Sequence, residues 1–307
     1  MKSRALKVNK GFAITTGAAV ALMALTVSPD AAERNTLILA SAQQNDCDRL
    51  AGSPYDQQRN GAFAPVNIAD IGSEAVESCR TAFDATGNPR FAYQLGRAFN
   101  RADEPDKAMN AYNVAAKDGY AAAMVNYGML MGRLGDDKAE ISYYQKAADN
   151  GNVLAAYNLG VAYRDGLGTT ANVKTALDWF EKAAAAGDDT AAFNIGSIYD
   201  EGKLVPADDQ TAIAWYDLAA QRGNVDAMIN LAIMYETGEG ITANMQKAAD
   251  LYRQAAEKGD MFGASKYIQL QELGIVPAPS QEDVEGVSSL VLKQGDVETP
   301  AKADSEI

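Results

Sequence analysis

The stretch "AAFNIGSIYDEG", residues 191–202, decides the fold. Ala192, Ile195, Gly196 and Tyr199 are spaced i, i+3, i+4 and i+7, which is the pattern of one buried helix face. A glycine inside a helix costs roughly 1 kcal/mol relative to alanine. The pattern therefore predicts a helix in which close packing against a neighbour compensates for Gly196.

The small residue of this stretch recurs along the chain. The phrases "FAYQLG", "AMVNYG", "AAYNLG", "AAFNIG" and "AMINLA" end at Gly96, Gly128, Gly160, Gly196 and Ala232, at intervals of 32, 32, 36 and 36 residues. A second phrase follows each copy and ends at Gly119, Gly151, Gly187, Gly223 and Gly259 in turn. Five copies of a two-part unit indicate a repeat protein.

Each unit is predicted to contain two helices, here called A and B. Helix A carries the small residue. Helix B carries an aromatic residue before a double alanine and ends at the glycine of the second phrase, which acts as a helix stop. We interpret the small residue as the point at which helix B of the same unit approaches helix A. The predicted fold is an all-α, right-handed α-solenoid of about five helix–turn–helix repeats.

One unit, "AAYNLGVAYRDGLGTTANVKTALDWFEKAAAAGD" (155–188), resembles the SLR, or Sel-one-like repeat, a relative of the tetratricopeptide repeat with a longer A–B loop. The matching residues include Leu159–Gly160, Tyr163, the loop glycines of 166–168 and Trp179–Phe180. The first two units lack the four additional residues of this A–B loop and look closer to plain tetratricopeptide units. The resemblance covers residues 91–266 and implies an α-solenoid that binds other proteins.

Residues 1–42 are predicted to be a signal peptide or an N-terminal anchor. A basic segment, residues 1–10, precedes an apolar, uncharged stretch of 16 residues at 12–27. This is the layout of a secretory signal, and it is slightly short for a membrane-spanning helix. Because the small-x-small site at residues 40–42 lies far downstream, an uncleaved inner-membrane anchor stays open as the alternative. The predicted location is periplasmic or secreted.

Cys47 and Cys79 are the only cysteines of the chain. An even count in an exported chain favours a disulfide. Such a bridge would close a loop of about 33 residues and stabilise the fold by roughly 3.7 kcal/mol. A catalytic thiol would have no histidine to activate it, and a metal site would need further cysteine or histidine ligands. We therefore predict a Cys47–Cys79 disulfide.

The chain is predicted to have four parts. After the leader, residues 43–90 form an N-terminal cap that contains the Cys47–Cys79 disulfide, since terminal repeats need a closing surface. Residues 91–274 form the solenoid, including a C-terminal capping helix that begins at Met261. Residues 275–307 are rich in proline, serine and acidic residues without a sustained period, which predicts a disordered acidic tail.

Composition limits the classes of function. The chain has 27 basic and 41 acidic residues, a net charge of −14, and no histidine. Such a surface repels nucleic-acid phosphates and anionic headgroups, so we expect neither nucleic acid binding nor membrane insertion beyond the N-terminal anchor. Without histidine, neither a Ser-His-Asp triad nor a Cys-His pair can be built. The prediction is a protein that is not an enzyme and has no cofactor or metal.

A regular row of asparagines is the main candidate for a binding site. Four units place an asparagine two residues before the small residue of helix A, a position that lines the concave groove of tetratricopeptide solenoids. Primary amides there suit an extended peptide backbone. In the alternative, each asparagine bonds a neighbouring helix and only stabilises the superhelix. The predicted partner-binding residues are Asn126, Tyr157, Asn158, Val161, Phe193, Asn194, Ser197, Ile229, Asn230 and Ile233.

The sequence thus predicts an exported, non-enzymatic scaffold, adaptor or regulator of the bacterial cell envelope that binds another protein or peptide in its concave groove. The alternative function is a peptidoglycan-directed enzyme or binder, as for the cysteine-rich SLR proteins reported to be β-lactamases. Those proteins carry cysteine pairs within their repeats, whereas these repeats contain none. The oligomeric state stays open.

Overall fold

The computed structural model describes residues 41, 42 and 44–277 of the 307-residue chain. Residues 1–40 of the predicted leader (1–42) and residues 278–307 of the predicted acidic tail (275–307) lie outside the described residues. Every regular element in the described part is helical. None of these helices has the length and apolar character needed to cross a bilayer.

The described helices are numbered in chain order. Helix α1 spans residues 44–51, and a short 3₁₀ helix spans Ile68–Asp70. The remaining helices are α2 (Glu74–Thr86), α3 (Pro89–Arg101), α4 (Pro105–Lys117), α5 (Ala121–Arg133), α6 (Asp137–Asp149), α7 (Val153–Asp165), α8 (Val173–Ala185), α9 (Asp189–Glu201), α10 (Asp209–Gln221), α11 (Val225–Thr237), α12 (Met245–Glu257) and α13 (Met261–Glu272).

The helices form five A–B pairs, here called units 1 to 5. These are α3–α4, α5–α6, α7–α8, α9–α10 and α11–α12. Each helix packs on the helix before it and on the helix after it, which is the contact pattern of a solenoid. The predicted all-α solenoid of about five repeats is confirmed.

The glycines of helix A lie directly under aromatic rings of helix B. A β-carbon added at Gly196 would lie 2.7 Å from Cδ1 of Tyr216, and one added at Gly160 would lie 2.5 Å from Cδ1 of Phe180. Real β-carbons essentially never approach another heavy atom so closely. The predicted close approach of helix B to the small residue of helix A is therefore confirmed.

Local signals fix the ends of the helices. Helix α8 is followed by Gly187, whose φ of 105° lies in the left-handed region that favours glycine, so the predicted helix stop is confirmed. Helices α7, α9 and α11 begin after Asn152, Asp188 and Asn224. The side chain of each N-cap residue accepts the backbone N–H three residues later. These turns hold the units in register.

Both ends of the solenoid carry additional helices. At the N-terminus, the Cys47–Cys79 disulfide joins α1 to α2, as predicted, with an S–S distance of 2.07 Å. Both cysteines are fully buried. At the C-terminus, α13 packs on α12, where Leu270 joins a small apolar cluster around Tyr252.

Candidate functional site

A non-helical segment of the chain lies against the A helices of the first three units. Residues 52–71, which connect α1 to α2, are called the strap. Arg97 of α3 donates from Nη1 to the backbone oxygen of Ala51 at 2.6 Å and from Nη2 to that of Val66 at 2.7 Å. The Tyr120 hydroxyl before α5 donates to the Asp56 carboxylate at 2.6 Å. Nδ2 of Asn152, before α7, donates to Oε1 of Gln57 at 3.2 Å.

The strap covers the N-terminal end of the predicted binding groove. The groove is the face of the A helices that contains three positions of each unit. These are the residues three and two positions before the small residue, and the residue one position after it. In unit 1 the groove residues Tyr93 and Arg97 are only 2% and 4% exposed. Their counterparts in unit 3, Tyr157 and Val161, are half-buried. The groove is therefore filled at one end by the chain itself.

Buried polar contacts hold the strap in place. Asp48 of α1 accepts hydrogen bonds from Nη2 of Arg90 and Nε2 of Gln94, both at 3.0 Å, and from Nδ2 of Asn60 at 2.8 Å. Burial raises the pKa of Asp56, and the hydrogen bond from Tyr120 opposes this effect. Because these carboxylates are buried and fully bonded, displacing the strap would expose several donors and acceptors at once.

A cavity of about 320 Å³, here called the strap cavity, lies between the strap and the A helices α3, α5 and α7. It contains three predicted site residues, Asn126, Tyr157 and Asn158. Tyr93, Arg97 and Val125, which also line it, occupy the predicted groove register of units 1 and 2, although they are not among the ten predicted partner-binding residues. The prediction missed Ser53, Tyr55, Asn67 and Leu154. The strap residues carry no periodic signal.

A second cavity, of about 310 Å³, lies beside α7 and α9 and contains the predicted residues Asn194 and Ser197. Its other lining is largely ionic. Arg164 pairs with Asp165 at 2.7 Å and donates to Oδ1 of Asn194 at 2.6 Å. The hydrogen bond from Arg164 holds the pKa of Asp165 below its ordinary value. This cavity suits polar groups, whereas the strap cavity is mainly apolar and aromatic.

The ten predicted partner-binding residues are thus distributed along the groove and do not share one cavity. Five of them, Val161, Phe193, Ile229, Asn230 and Ile233, line neither of these two cavities. All five are half-buried. Phe193 packs its ring against that of Tyr216, with the centroids 5.7 Å apart. The groove residues therefore form an extended, partly exposed strip.

Three of the four asparagines face a tyrosine on helix B of the preceding unit. The pairs are Asn126 with Tyr112, Asn158 with Tyr144, and Asn230 with Tyr216. Burial raises the pKa of all three tyrosines, and the asparagine side chains act against this effect. Neighbouring units therefore meet at these side chains, which gives a physical basis to the alternative that the asparagines stabilise the superhelix.

Asn194 is the exception in this row. The corresponding helix B residue of unit 3 is Phe180, which has no hydroxyl group. Asn194 instead accepts the hydrogen bond from Arg164 and donates from Nδ2 to the backbone oxygen of Thr190 at 2.9 Å. Asn158 differs again, because its Nδ2 is buried and has no hydrogen-bond partner within the described chain.

Known proteins resemble this chain in repeat sequence and in fold. The Sel1 repeat family model matches residues 121–152, 153–188, 190–224 and 225–260. The crystal structure of c5321, a protective antigen present in uropathogenic Escherichia coli strains displaying an SLR fold, is similar with a TM-score of 0.65 and 24% sequence identity, over 86% of this chain and 56% of that chain. A Sel1 repeat protein from Oxalobacter formigenes gives a TM-score of 0.60 and 26% identity, over 71% of this chain and 94% of that chain. No curated protein matches the chain.

These matches correct one prediction about the repeats. Unit 2 falls within the first matched repeat, residues 121–152, although its short A–B turn suggested a plain tetratricopeptide unit. Unit 2 thus matches the repeat model despite its shorter A–B turn. The antigen is much longer than the matched region, since this chain covers little more than half of it. The chain thus contains four consecutive Sel1 repeats over residues 121–260 and has a solenoid fold similar to those of Sel1-like repeat proteins.

Proposed function

We propose that this protein is a non-enzymatic scaffold of the bacterial cell envelope, an adaptor or regulator that binds an extended polypeptide along the groove. Sel1 repeat proteins generally mediate protein–protein interaction, and their fold is typically that of a scaffold without enzymatic activity. This supports the proposal that the binding partner is another protein. The groove as the binding surface and the envelope as the compartment are further parts of the proposal.

The strap is the observation that carries the proposal. It is a polypeptide segment without α-helix that is held against the groove of units 1 to 3. Arg97 donates to the backbone oxygen of Val66 in the strap and to that of Ala51 at the end of α1. Such main-chain contacts suit extended segments of many sequences. The hydrogen bonds of the strap reach no further along the solenoid than Asn152. The groove of units 4 and 5 offers the same register of side chains to a second polypeptide.

The exposed part of the groove has the mixed character that an extended peptide requires. Phe193 and Ile229 are half-buried apolar side chains, and Asn194 and Asn230 place amides beside them. Amides both donate and accept hydrogen bonds, so they can pair with either group of a peptide backbone. Arg164 and Lys203 of the second cavity are paired with acidic neighbours, which favours polar rather than strongly charged segments.

Two features support the envelope as the compartment. The basic start and the apolar stretch of residues 12–27 have the layout of an export signal. The Cys47–Cys79 disulfide fits an oxidising compartment such as the periplasm, because thiols are kept reduced in the cytosol. The proposed location is periplasmic or secreted, with anchoring by the N-terminus as the variant.

Crosslinking in the native envelope, with the tagged full chain expressed in its own cells, tests the proposal. The double change Asn158→Ala and Asn194→Ala should reduce recovery of the crosslinked partner roughly tenfold, since two amide contacts are lost. Asn110→Ala, at an exposed position on helix B of unit 1, is the matched control and should leave recovery unchanged.

The thermal unfolding of each variant must be followed in parallel. A lowered melting temperature with unchanged partner recovery would assign the asparagines to the solenoid alone. A partner captured equally well by every variant would contradict the groove proposal. Binding to isolated peptidoglycan, or turnover of a cell-wall substrate, with no captured protein would favour the peptidoglycan-directed alternative.

A further inference from the structure

We propose that the strap cavity takes one aromatic side chain of the partner polypeptide, and that the Asn158 amide donates to a carbonyl oxygen at that residue. This inference rests on the proposed function, because it names the chemistry of the partner at the N-terminal end of the same groove. Four observations support it: the volume and walls of the cavity, its charges, the unpaired amide, and the position of the strap.

The cavity has the size and the walls of a pocket for one ring-bearing group. Its volume of about 320 Å³ lies at the lower end of the range of ligand pockets, about 300–1,000 Å³. Tyr55, Tyr93 and Tyr157 contribute to the lining, together with the aliphatic side chains of Val125 and Leu154. Aromatic rings pack favourably against tyrosines in tilted and edge-to-face arrangements. The walls therefore suit an aromatic side chain.

The charges around the cavity are already matched within the protein. Asp48 pairs with Arg90, with 3.0 Å between Oδ1 and Nε. Asp56 accepts from Tyr120, and Arg97 donates to two backbone oxygens of the cap. Of these four charged groups only Arg97 lines the cavity, and both of its hydrogen-bond acceptors are uncharged backbone oxygens. A cationic group would enter beside Arg97 without a counter-ion, and the cost of desolvating it would oppose binding.

The amide of Asn158 provides one specific polar contact. The residue lines the cavity, is 9% exposed, and its Nδ2 has no hydrogen-bond partner among the described residues. Its counterpart Asn194 has a partner, because it donates to Thr190. A buried donor without an acceptor is costly and uncommon. A carbonyl oxygen of a bound peptide would satisfy it.

The strap makes the cavity a defined end of the groove. Ser53, Tyr55 and Asn67 of the strap lie in its wall, opposite the side chains of α5 and α7. A peptide that follows the open groove of units 4 and 5 toward the N-terminus meets this wall. An aromatic side chain can pack on the three tyrosines of the cavity. A sugar ring is the competing occupant, because Ser53, Asn67, Asn126 and Asn152 also line the cavity.

Titration of the full chain with small uncharged probes tests the proposal. N-acetyl-L-phenylalaninamide carries the ring and the carbonyl group, N-acetyl-L-alaninamide lacks the ring, and N-acetylglucosamine represents a sugar. By NMR or calorimetry, the phenylalanine probe should bind at least about tenfold more tightly than the alanine probe, because its ring becomes buried. Equal affinities, or tighter binding of the sugar, would overturn the proposal.

Variants locate the binding. Asn126→Trp should fill the cavity and abolish binding of the phenylalanine probe. Asn110→Trp, at an exposed position of α4 outside both cavities, is the matched control and should bind as the wild type does. Asn158→Leu should weaken binding roughly tenfold by removing the amide donor. Should Asn126→Trp fail to fold, Tyr55→Ala removes a wall at a residue that is 60% exposed and should also weaken binding.

Binding that none of these changes affects would place the probe elsewhere and refute the proposal. The proposed function can survive that result. If partner capture still depends on Asn194 while the phenylalanine probe does not bind, the groove remains supported as the binding surface. Only the proposed aromatic side chain in the strap cavity is then refuted. If no partner is captured while the phenylalanine probe still binds, the strap cavity remains supported as an aromatic site and the proposed function is refuted.

Discussion

Replacing Gly196 with valine tests how closely the two helices of a unit pack. A β-carbon at this position would lie 2.7 Å from Cδ1 of Tyr216, whose side chain is 0% exposed and is surrounded by the core. Valine adds three carbons at this contact, and overpacking of a core typically costs about 1–3 kcal/mol. The gain from removing a helical glycine is only roughly 0.3 kcal/mol, because valine is itself a modest helix former. Because Tyr216 is fully buried, we expect a cost in the upper part of this range and a net loss of about 2 kcal/mol in the free energy of unfolding.

Urea denaturation followed by circular dichroism measures this loss. Thr190→Val introduces the same side chain at an exposed position of α9 and should change the stability by less than about 0.5 kcal/mol. Combining Gly196→Val with Tyr216→Leu should cost less than the sum of the two single changes, because the smaller leucine relieves the crowding. A loss below about 0.5 kcal/mol for Gly196→Val, or strict additivity in the double variant, would refute the close contact.

Three further predictions concern the cap and the strap. Replacing Cys47 and Cys79 with serine should lower the free energy of unfolding by about 3–4 kcal/mol. The mass of the unreduced, alkylated wild-type protein should show no modified cysteine, and two modified cysteines would contradict the disulfide. Tyr120→Phe removes the hydrogen bond to the buried Asp56 carboxylate and should cost about 1.5–3 kcal/mol at neutral pH, whereas an unchanged unfolding curve would mean that the strap is not held there. Burial raises the pKa of Asp56 above its ordinary value of 3.8. Protonation of Asp56 therefore stabilises the folded state fully below pH 3.8, and this stabilisation is lost as the pH rises through the folded-state pKa. Denaturation curves of Asp56→Asn across the acidic range should lack this loss, and parallel pH profiles of variant and wild type would contradict the prediction.

The helical register can be predicted because it depends on short-range, repeated patterns. Each small residue and each helix B aromatic recurs at a fixed distance, so the contact of Gly196 with Tyr216 follows from spacing alone. Unit 2 departs from the pattern. A β-carbon at Gly128 would be nearest to Tyr143, at 3.0 Å, rather than to the Tyr144 ring. Glu140 stands where the other units have a buried alanine, and its carboxylate accepts a hydrogen bond from the Tyr144 hydroxyl at 2.5 Å.

The candidate site was predictable only in part. The asparagine register is visible in the sequence, and so is the reason that Asn194 differs, since Phe180 replaces a tyrosine. The strap was not predictable. Its contacts from Arg97 to Val66, from Tyr120 to Asp56 and from Asn152 to Gln57 join residues 31, 64 and 95 positions apart. No periodicity in a single sequence encodes such pairings between a loop and a helix.

The same long separations give the strap a distinct place in the order of folding. Helix pairs join residues that are close in sequence, so a solenoid of this kind can form unit by unit along the growing chain. The strap cannot dock completely until Asn152, 95 positions after Gln57, has been made and α7 has begun. Non-local contacts of this kind are slow to form, because the entropy of loop closure must be overcome first. A chain that ends before unit 3 could therefore form its first helices and still have no strap cavity.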